Sequence, residues 1–214
     1  RLFYEPRLSI DNSHPCASCH EQVAAFGTFE HDRSHGVFES HTLRNAPVLF
    51  NLAWYPLLHW DGAIYSLEEQ AIHTITGPTE MGDQFSNIQR KLEKVPYYRR
   101  AFQDVFNSTS IESAHILKAL AQFTGTMVSA NSKYDRVVQG QAVFTAQEAS
   151  GYQIFQAHCN TCHQEPLFTD HSFRNIGLSV DPSLKDYGRM RITRQQQDSL
   201  KFRVPTLRNV ALSS

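Results

Sequence analysis

A mainly α-helical fold with long connecting loops is what this chain of 214 residues predicts. Three observations carry that expectation. Strand signals are scarce and short. Ser66-Leu67-Glu68-Glu69 and Thr145-Ala146-Gln147-Glu148 both have the pattern in which a hydroxyl and a carboxylate satisfy free N–H groups at a helix start. Apolar residues recur at helical spacing, most clearly Ile116, Leu120, Phe123 and Met127.

In chain order, residues 11–61 hold scattered Gly and Pro and read as loop. A helix opens after Ser66. Gln84 to Val95 reads as a helix stopped by Pro96, because a proline disfavours helical backbone in the residue before it. Residues 111–130 read as one amphipathic helix. Asn131 to Gly140 is polar and lies between helices, so it is a candidate boundary, dividing the chain into domains 1–135 and 136–214. The helix opening after Thr145 carries Ile154 and Phe155. Residues 165–205 are again loop-rich.

Composition bounds the function. The apolar fraction of 41% fits a globular core, and 11% aromatic residues is generous. Formal net charge is −1 with no long run of one sign, which argues against a nucleic acid or an anionic membrane as partner. No apolar run approaches the roughly 18 residues of a membrane span. Arg1-Leu2-Phe3-Tyr4-Glu5-Pro6 does not read as a signal peptide.

All four cysteines fall in two copies of Cys-x-x-Cys-His: Cys16-Ala17-Ser18-Cys19-His20 and Cys159-Asn160-Thr161-Cys162-His163. Two thiols at this spacing can each add to a vinyl group on one porphyrin edge, and the next histidine reaches the iron from the same side. Two covalently bound c-type haems are therefore expected, on Cys16, Cys19 and His20 and on Cys159, Cys162 and His163. Two disulfides, a thioredoxin-like motif or a four-cysteine zinc site are the alternatives. None explains a histidine directly after both pairs. Because c-type haem is attached outside the cytoplasm, an export signal removed from the chain and a periplasmic location are expected.

A weak internal repeat supports two similar haem domains. Leu43-Arg44-Asn45-Ala46-Pro47-Val48-Leu49 follows the first motif, and Phe202-Arg203-Val204-Pro205-Thr206-Leu207-Arg208-Asn209 follows the second. The first copy runs on into His59-Trp60-Asp61-Gly62 and a helix. The second stops at Ser214, so the second domain is expected to be truncated at its C-terminus.

An iron held on both sides only transfers electrons, whereas one open side can bind a substrate. The residues opposite His20 and His163 therefore decide the chemistry. His31, His35, His41 and His59 lie between the first motif and Trp60, and His35 sits beside Gly36 in a turn where a ligand could swing on and off. Trp60 is either core packing or an aromatic relay for electrons. Glu80 is either an exposed carboxylate or a distal acid–base group able to take a proton from one peroxide oxygen and return it to the other. Met81 reads as core filler before sulfur ligand. Asn45 reads as a turn former whose side-chain oxygen could also bind Ca²⁺.

These pieces, with Arg44-Asn45-Ala46-Pro47, Ser66-Leu67-Glu68-Glu69-Gln70, Glu80-Met81 and Val204 to Val210, resemble the bacterial dihaem cytochrome c peroxidases over nearly the whole chain. The resemblance implies two cytochrome c-like haem domains with a Ca²⁺ between them. The His20 haem would be peroxidatic, with His35 its removable distal ligand, His41 a competitor, Glu80 the acid–base residue and Trp60 the residue between the haems. Asn45 and the backbone carbonyls of Arg203 and Pro205 would hold the calcium. The His163 haem would be the electron inlet. Its second ligand in these peroxidases is a methionine well beyond the Val-Pro-Thr-Leu-Arg-Asn motif. Met190 precedes that motif and does not match, so this haem is expected to be open or differently ligated unless the chain continues.

The function so implied is reduction of hydrogen peroxide to water with electrons from a small cytochrome c or cupredoxin, in a protein that forms homodimers. A dihaem oxidase acting on a tryptophan of a partner protein is an alternative. A dihaem electron carrier is another.

Overall fold

The computed structural model describes residues 1–28 and 31–212. Seven α-helices are present among them: α1 (Leu67–Thr76), α2 (Phe85–Glu93), α3 (Pro96–Phe106), α4 (Ser113–Gly125), α5 (Lys133–Val138), α6 (Ala146–His158) and α7 (Met190–Thr193). Short 3₁₀ turns fill much of the rest. Two two-residue strands, β1 (Phe173–Arg174) and β2 (Phe202–Arg203), pair antiparallel with Phe173 opposite Arg203. The mainly helical expectation holds.

Local chemistry sets the helix ends. Ser66 Oγ accepts from Glu69 N and starts α1. At α6 the reciprocal cap is complete: Glu148 N donates to Thr145 Oγ1 and Thr145 N donates to the Glu148 carboxylate. Such caps each contribute about 1 kcal/mol. Pro96 ends α2 and occupies the first turn of α3, where its missing N–H costs nothing. The helix expected over 111–130 is shorter, because Thr126 N closes on Gln122 O and Phe123 O and ends α4 after Gly125. The stretch expected as a polar linker, 131–140, contains α5. Its cause is a second complete cap, between Ser132 and Asp135.

The chain forms two compact units. The first contains Arg1–Ala53 and Ile64–Met127, and the second Trp54–Ala63 and Val128–Ala211. The division expected at 135/136 is drawn differently here, because residues 54–63 belong with the later part of the chain. Hydrogen bonds explain it: Arg203 N donates to Trp60 O at 2.7 Å, and Arg203 Nη1 to Leu57 O at 2.7 Å.

The first unit buries a continuous apolar core: Ala71 and Ile75 from α1, Ile88 and Leu92 from α2, Tyr98 and Phe102 from α3, Ile116 and Leu120 from α4. Each pair is four residues apart, so each helix turns one stripe inward. Leu2, Leu8 and Met81 join them, which makes Met81 core filler as expected. Three long-range bonds pin the N-terminal segment to this core. Tyr98 OH donates to Glu5 Oε2 at 2.7 Å, Ile10 N to Met81 O at 2.9 Å, and Lys91 Nζ to Ser9 O while pairing with Asp83 at 2.6 Å.

The second unit is organised differently. α6 buries none of its residues. Rings of Tyr134, Phe144, Tyr152, Phe155 and Phe168 touch in series, with centroids 4.8–6.4 Å apart. Arg208 forms a two-pronged ion pair with Asp135, both largely buried, at 2.8 and 3.0 Å. It also donates to Pro166 O.

Candidate functional site

The first Cys-x-x-Cys-His segment lies in the first unit. Cys16–Ser18 forms a 3₁₀ turn, and the N–H groups of Cys19 and His20 both donate to Cys16 O. That winding gathers two thiols and an imidazole within one turn of backbone. Cys16 packs against the apolar core, and burial pushes its thiol up to about 12. Cys19 is raised chiefly by burial, with the Glu80 carboxylate adding to it. Phe26 adopts left-handed backbone and brings its carbonyl to His20 Nδ1 at 2.8 Å. A carbonyl only accepts, so Nδ1 carries the proton and Nε2 keeps its lone pair. This is the tautomer an iron ligand needs, held in the way such ligands usually are. Burial also lowers the His20 pKa and keeps the ring neutral.

Two loops meet beside this segment, and backbone makes the junction. Residues 34–42 form a small hairpin: Gly36 N donates to Ser40 O and Thr42 N to Ser34 O, both at 2.9 Å. Its tip is fixed to the turn 77–80, since Val37 N donates to Glu80 O at 2.8 Å and Ser40 Oγ to Thr79 O at 3.1 Å. Gly36 makes this approach possible. A Cβ there would sit 2.0 Å from Thr79 O and 2.8 Å from Glu80 O, well inside van der Waals contact. Cys19 Sγ donates to His35 O at 3.2 Å. So Cys19, His35 and Glu80, far apart in sequence, are tied together by three short connections. Burial raises the Glu80 carboxyl above the usual carboxylate range, partly offset by the Thr74 hydroxyl and by His73. A carboxyl lifted this way holds its proton more readily than an exposed glutamate, as a proton-transferring group must.

Hydroxyls support the hairpin from behind. Thr28 Oγ1 donates to Cys19 O and lies 2.5 Å from Ser34 Oγ, which accepts from Ala46 N at 3.1 Å. Asn45 Nδ2 donates to His31 O at 2.9 Å. His31, His35 and His41 are exposed.

The second segment ends α6 in the second unit. Cys162 and His163 N–H groups donate to Cys159 O. His163 Nδ1 is shared between Phe168 O at 3.2 Å and Pro205 O at 3.1 Å, so it too carries the proton. Pro205 O, expected on resemblance to face a calcium ion, is thus directed at the His163 ring. Arg203, expected to offer only its carbonyl, has a buried side chain that lies over the Tyr55 ring at 4.7 Å. Trp60 and His59 belong to this second unit. The following Gly62 has a φ of +72°, and a Cβ on it would meet Phe173 at 2.4 Å.

These features fit two covalently attached haems. None of the four cysteines is paired in a disulfide. Sequence reasoning missed the need for glycine at 36, the Asp135–Arg208 pair and the carbonyl of Phe26. Only the left-handed turn around Ala25-Phe26-Gly27 had a local signal, in its glycine.

Known proteins agree with this geometry. A family model described as di-haem cytochrome c peroxidase matches residues 1–143. The chain is 34% identical to the cytochrome c peroxidase Ccp of Escherichia coli K12 over 221 residues, covering 100% of this chain and 47% of that protein. It is also 34% identical to the methylamine utilization protein MauG of Methylorubrum extorquens, covering 99% of this chain and 60% of that one. Among solved structures it is similar to a MauG-like protein associated with microbial copper homeostasis, with a TM-score of 0.93 and 32% identity, covering 100% of this chain and 69% of that one. The chain thus spans about half to two-thirds of the length of these relatives. No helix among the described residues is long and apolar enough to cross a membrane.

Proposed function

The chain belongs to the di-haem cytochrome c peroxidase family, and on that premise we propose that the protein reduces hydrogen peroxide to water in the periplasm, with electrons from a small cytochrome c or cupredoxin. The observation that carries this reading is the junction of the His35 hairpin, the Glu80 turn and Cys19. It sets a raised carboxyl close to a haem-attachment thiol.

Covalently bound haem supplies the iron at which the peroxide bond is reduced. The chain's own residues do the rest. Cys16 and Cys19 would anchor the group, and His20 would hold it through Nε2, which is left with its lone pair because Phe26 O holds Nδ1. Glu80 accepts a proton from the near peroxide oxygen and returns it to the far one; with two electrons and two protons, two waters leave. His35 would be the removable ligand, closing the site when bound and opening it when withdrawn. Trp60 serves electron relay, and Cys159, Cys162 and His163 hold the haem that receives electrons. Asn45 Oδ1 is assigned to a Ca²⁺, for which a neutral amide oxygen is a suitable donor.

A second reading is a dihaem oxidase acting on a tryptophan of a partner protein, favoured by the equal identity to MauG. Titration of the holoprotein with one electron equivalent separates the readings. High-spin iron that emerges only on half-reduction supports the switched peroxidase. High-spin iron from the start supports an always-open oxidase, and none at all supports an electron carrier.

A further inference from the structure

Three exposed imidazoles crowd together in the first unit, two on the hairpin and one, His31, just before it. The His35 ring lies between two others, 4.7 Å from His31 and 4.4 Å from His41 between centroids, tilted by 58° and 48°. Backbone pairing produces the closer contact. His35 and His41 sit opposite each other between the bonds Gly36 N to Ser40 O and Thr42 N to Ser34 O. Side chains of such a cross-strand pair stand on one face at close range.

The flanking rings have fixed bases. Asn45 Nδ2 holds the carbonyl of His31. Thr42, next to His41, donates through both its N–H and its hydroxyl to Ser34 O. The three rings do not converge as a metal-ion site, so their relation is ring packing. Tilted aromatic pairs at these distances attract beyond their buried area.

We propose that His31 and His41 form a berth that receives the His35 ring when it is withdrawn from the haem iron. They are positioning residues for the opening of the site. The proposal rests on the reading of His35 as the removable ligand. Two ring contacts favour the withdrawn position by about tenfold, so the berth converts a ligand that would rebind into one that stays away. The one bond broken would be the coordinate bond from the His35 nitrogen, whose lone pair stays with the ring; no electron is transferred in this step, and two ring contacts replace the lost ligation.

The test uses the two-haem protein and reads spin state by electron paramagnetic resonance and absorption, oxidised and after one electron equivalent. In H31A/H41A the oxidised spectrum should match the parent, while the ratio of high-spin to low-spin iron after half-reduction should fall about tenfold. H31F/H41F, which keeps flanking rings, should restore it. An unchanged ratio in H31A/H41A overturns the berth while leaving the switch intact, and so does failure of the phenylalanine pair to restore a lost signal. H35A should be high-spin in both states. If instead its oxidised spectrum is that of the parent, His35 is no ligand, and the switch and the berth fall together. Loss of the oxidised low-spin signal in H41A alone would make His41 the ligand and also overturn the proposal.

Discussion

The first haem-attachment segment sits against an apolar core drawn from four helices, whereas the second ends a helix that buries none of its own side chains. Their histidines are held alike: His20 Nδ1 bonds Phe26 O at 2.8 Å with the Pro47 backbone as a second partner, and His163 Nδ1 lies between Phe168 O at 3.2 Å and Pro205 O at 3.1 Å. Nearby, the first unit joins two loops to set His35 beside a raised carboxyl, and the second unit ties its loops through one buried ion pair. Identical motifs thus stand in unlike settings. One is held by packing and lies near the Glu80 turn. The other is held by polar bonds and rings.

The largest expected effect breaks the comparison one motif at a time. Replacing Cys16 and Cys19 by serine should remove one covalent haem by mass and abolish peroxide turnover. Replacing Cys159 and Cys162 should also remove one haem, but leave peroxide binding at the other haem detectable by absorption once a chemical reductant supplies electrons. Equal loss of peroxide binding in both variants would erase the distinction between the units.

Glu80→Gln should lower turnover by about 10²-fold or more with both haems in place. The same variant changes stability with pH. Folded Glu80 holds its proton to a higher pH than the 4.5 of an ordinary glutamate, so ionisation opposes folding as pH rises through that window. The parent should lose stability there, and the Gln variant should not, as thermal unfolding from pH 4 upward would reveal.

Asp135→Asn should cost about 3 kcal/mol or more, because it leaves the Arg208 guanidinium buried without its counter-charge. Replacing both by leucine should cost much less. Hydrogen bonds from Arg208, and then from Ser132, hold the Asp135 carboxyl well below the usual carboxylate range. This contribution is present above pH 3.8 and lost as pH falls towards the lowered value. Denaturant titrations should therefore show the gap between parent and variant only narrowing from pH 7 to pH 3, because the carboxyl stays largely ionised in the folded state until still lower pH.

Gly36→Ala should cost about 2 kcal/mol, since a backbone carbonyl cannot yield to a methyl 2.0 Å away without parting the loops. It should also lower activity, with the second haem's potential unmoved. Thr145→Ala, which removes one half of the α6 cap, is the mildest change, about 1 kcal/mol. Its effect should stay in the second unit.

Local signals were legible in the sequence. Caps at Ser66 and Thr145, the stop at Pro96, the stripe from Ile116 to Leu120 and both haem motifs act within a few residues of themselves. What was not legible depends on partners distant along the chain. Nothing near Gly36 announces that Thr79 will lie against it, and nothing near Asp135 announces Arg208. The α5 helix was missed because its polar surface resembles a linker, and only its Ser132–Asp135 cap gives it away. Glu80 could be singled out by type and place, but its burial, which makes it useful, comes from the meeting of two loops.

The bonds that pin the N-terminal segment also order events in time. A chain is made from its N-terminal side onward. Cys16 and Cys19 therefore emerge before Met81, Lys91 and Tyr98, the residues that fasten Ile10, Ser9 and Glu5. Until about eighty further residues follow, the first pair of thiols has no core to retreat into, and it stays within reach of the machinery that attaches haem. The window closes when the helices arrive, so attachment at the first motif belongs before folding rather than after it.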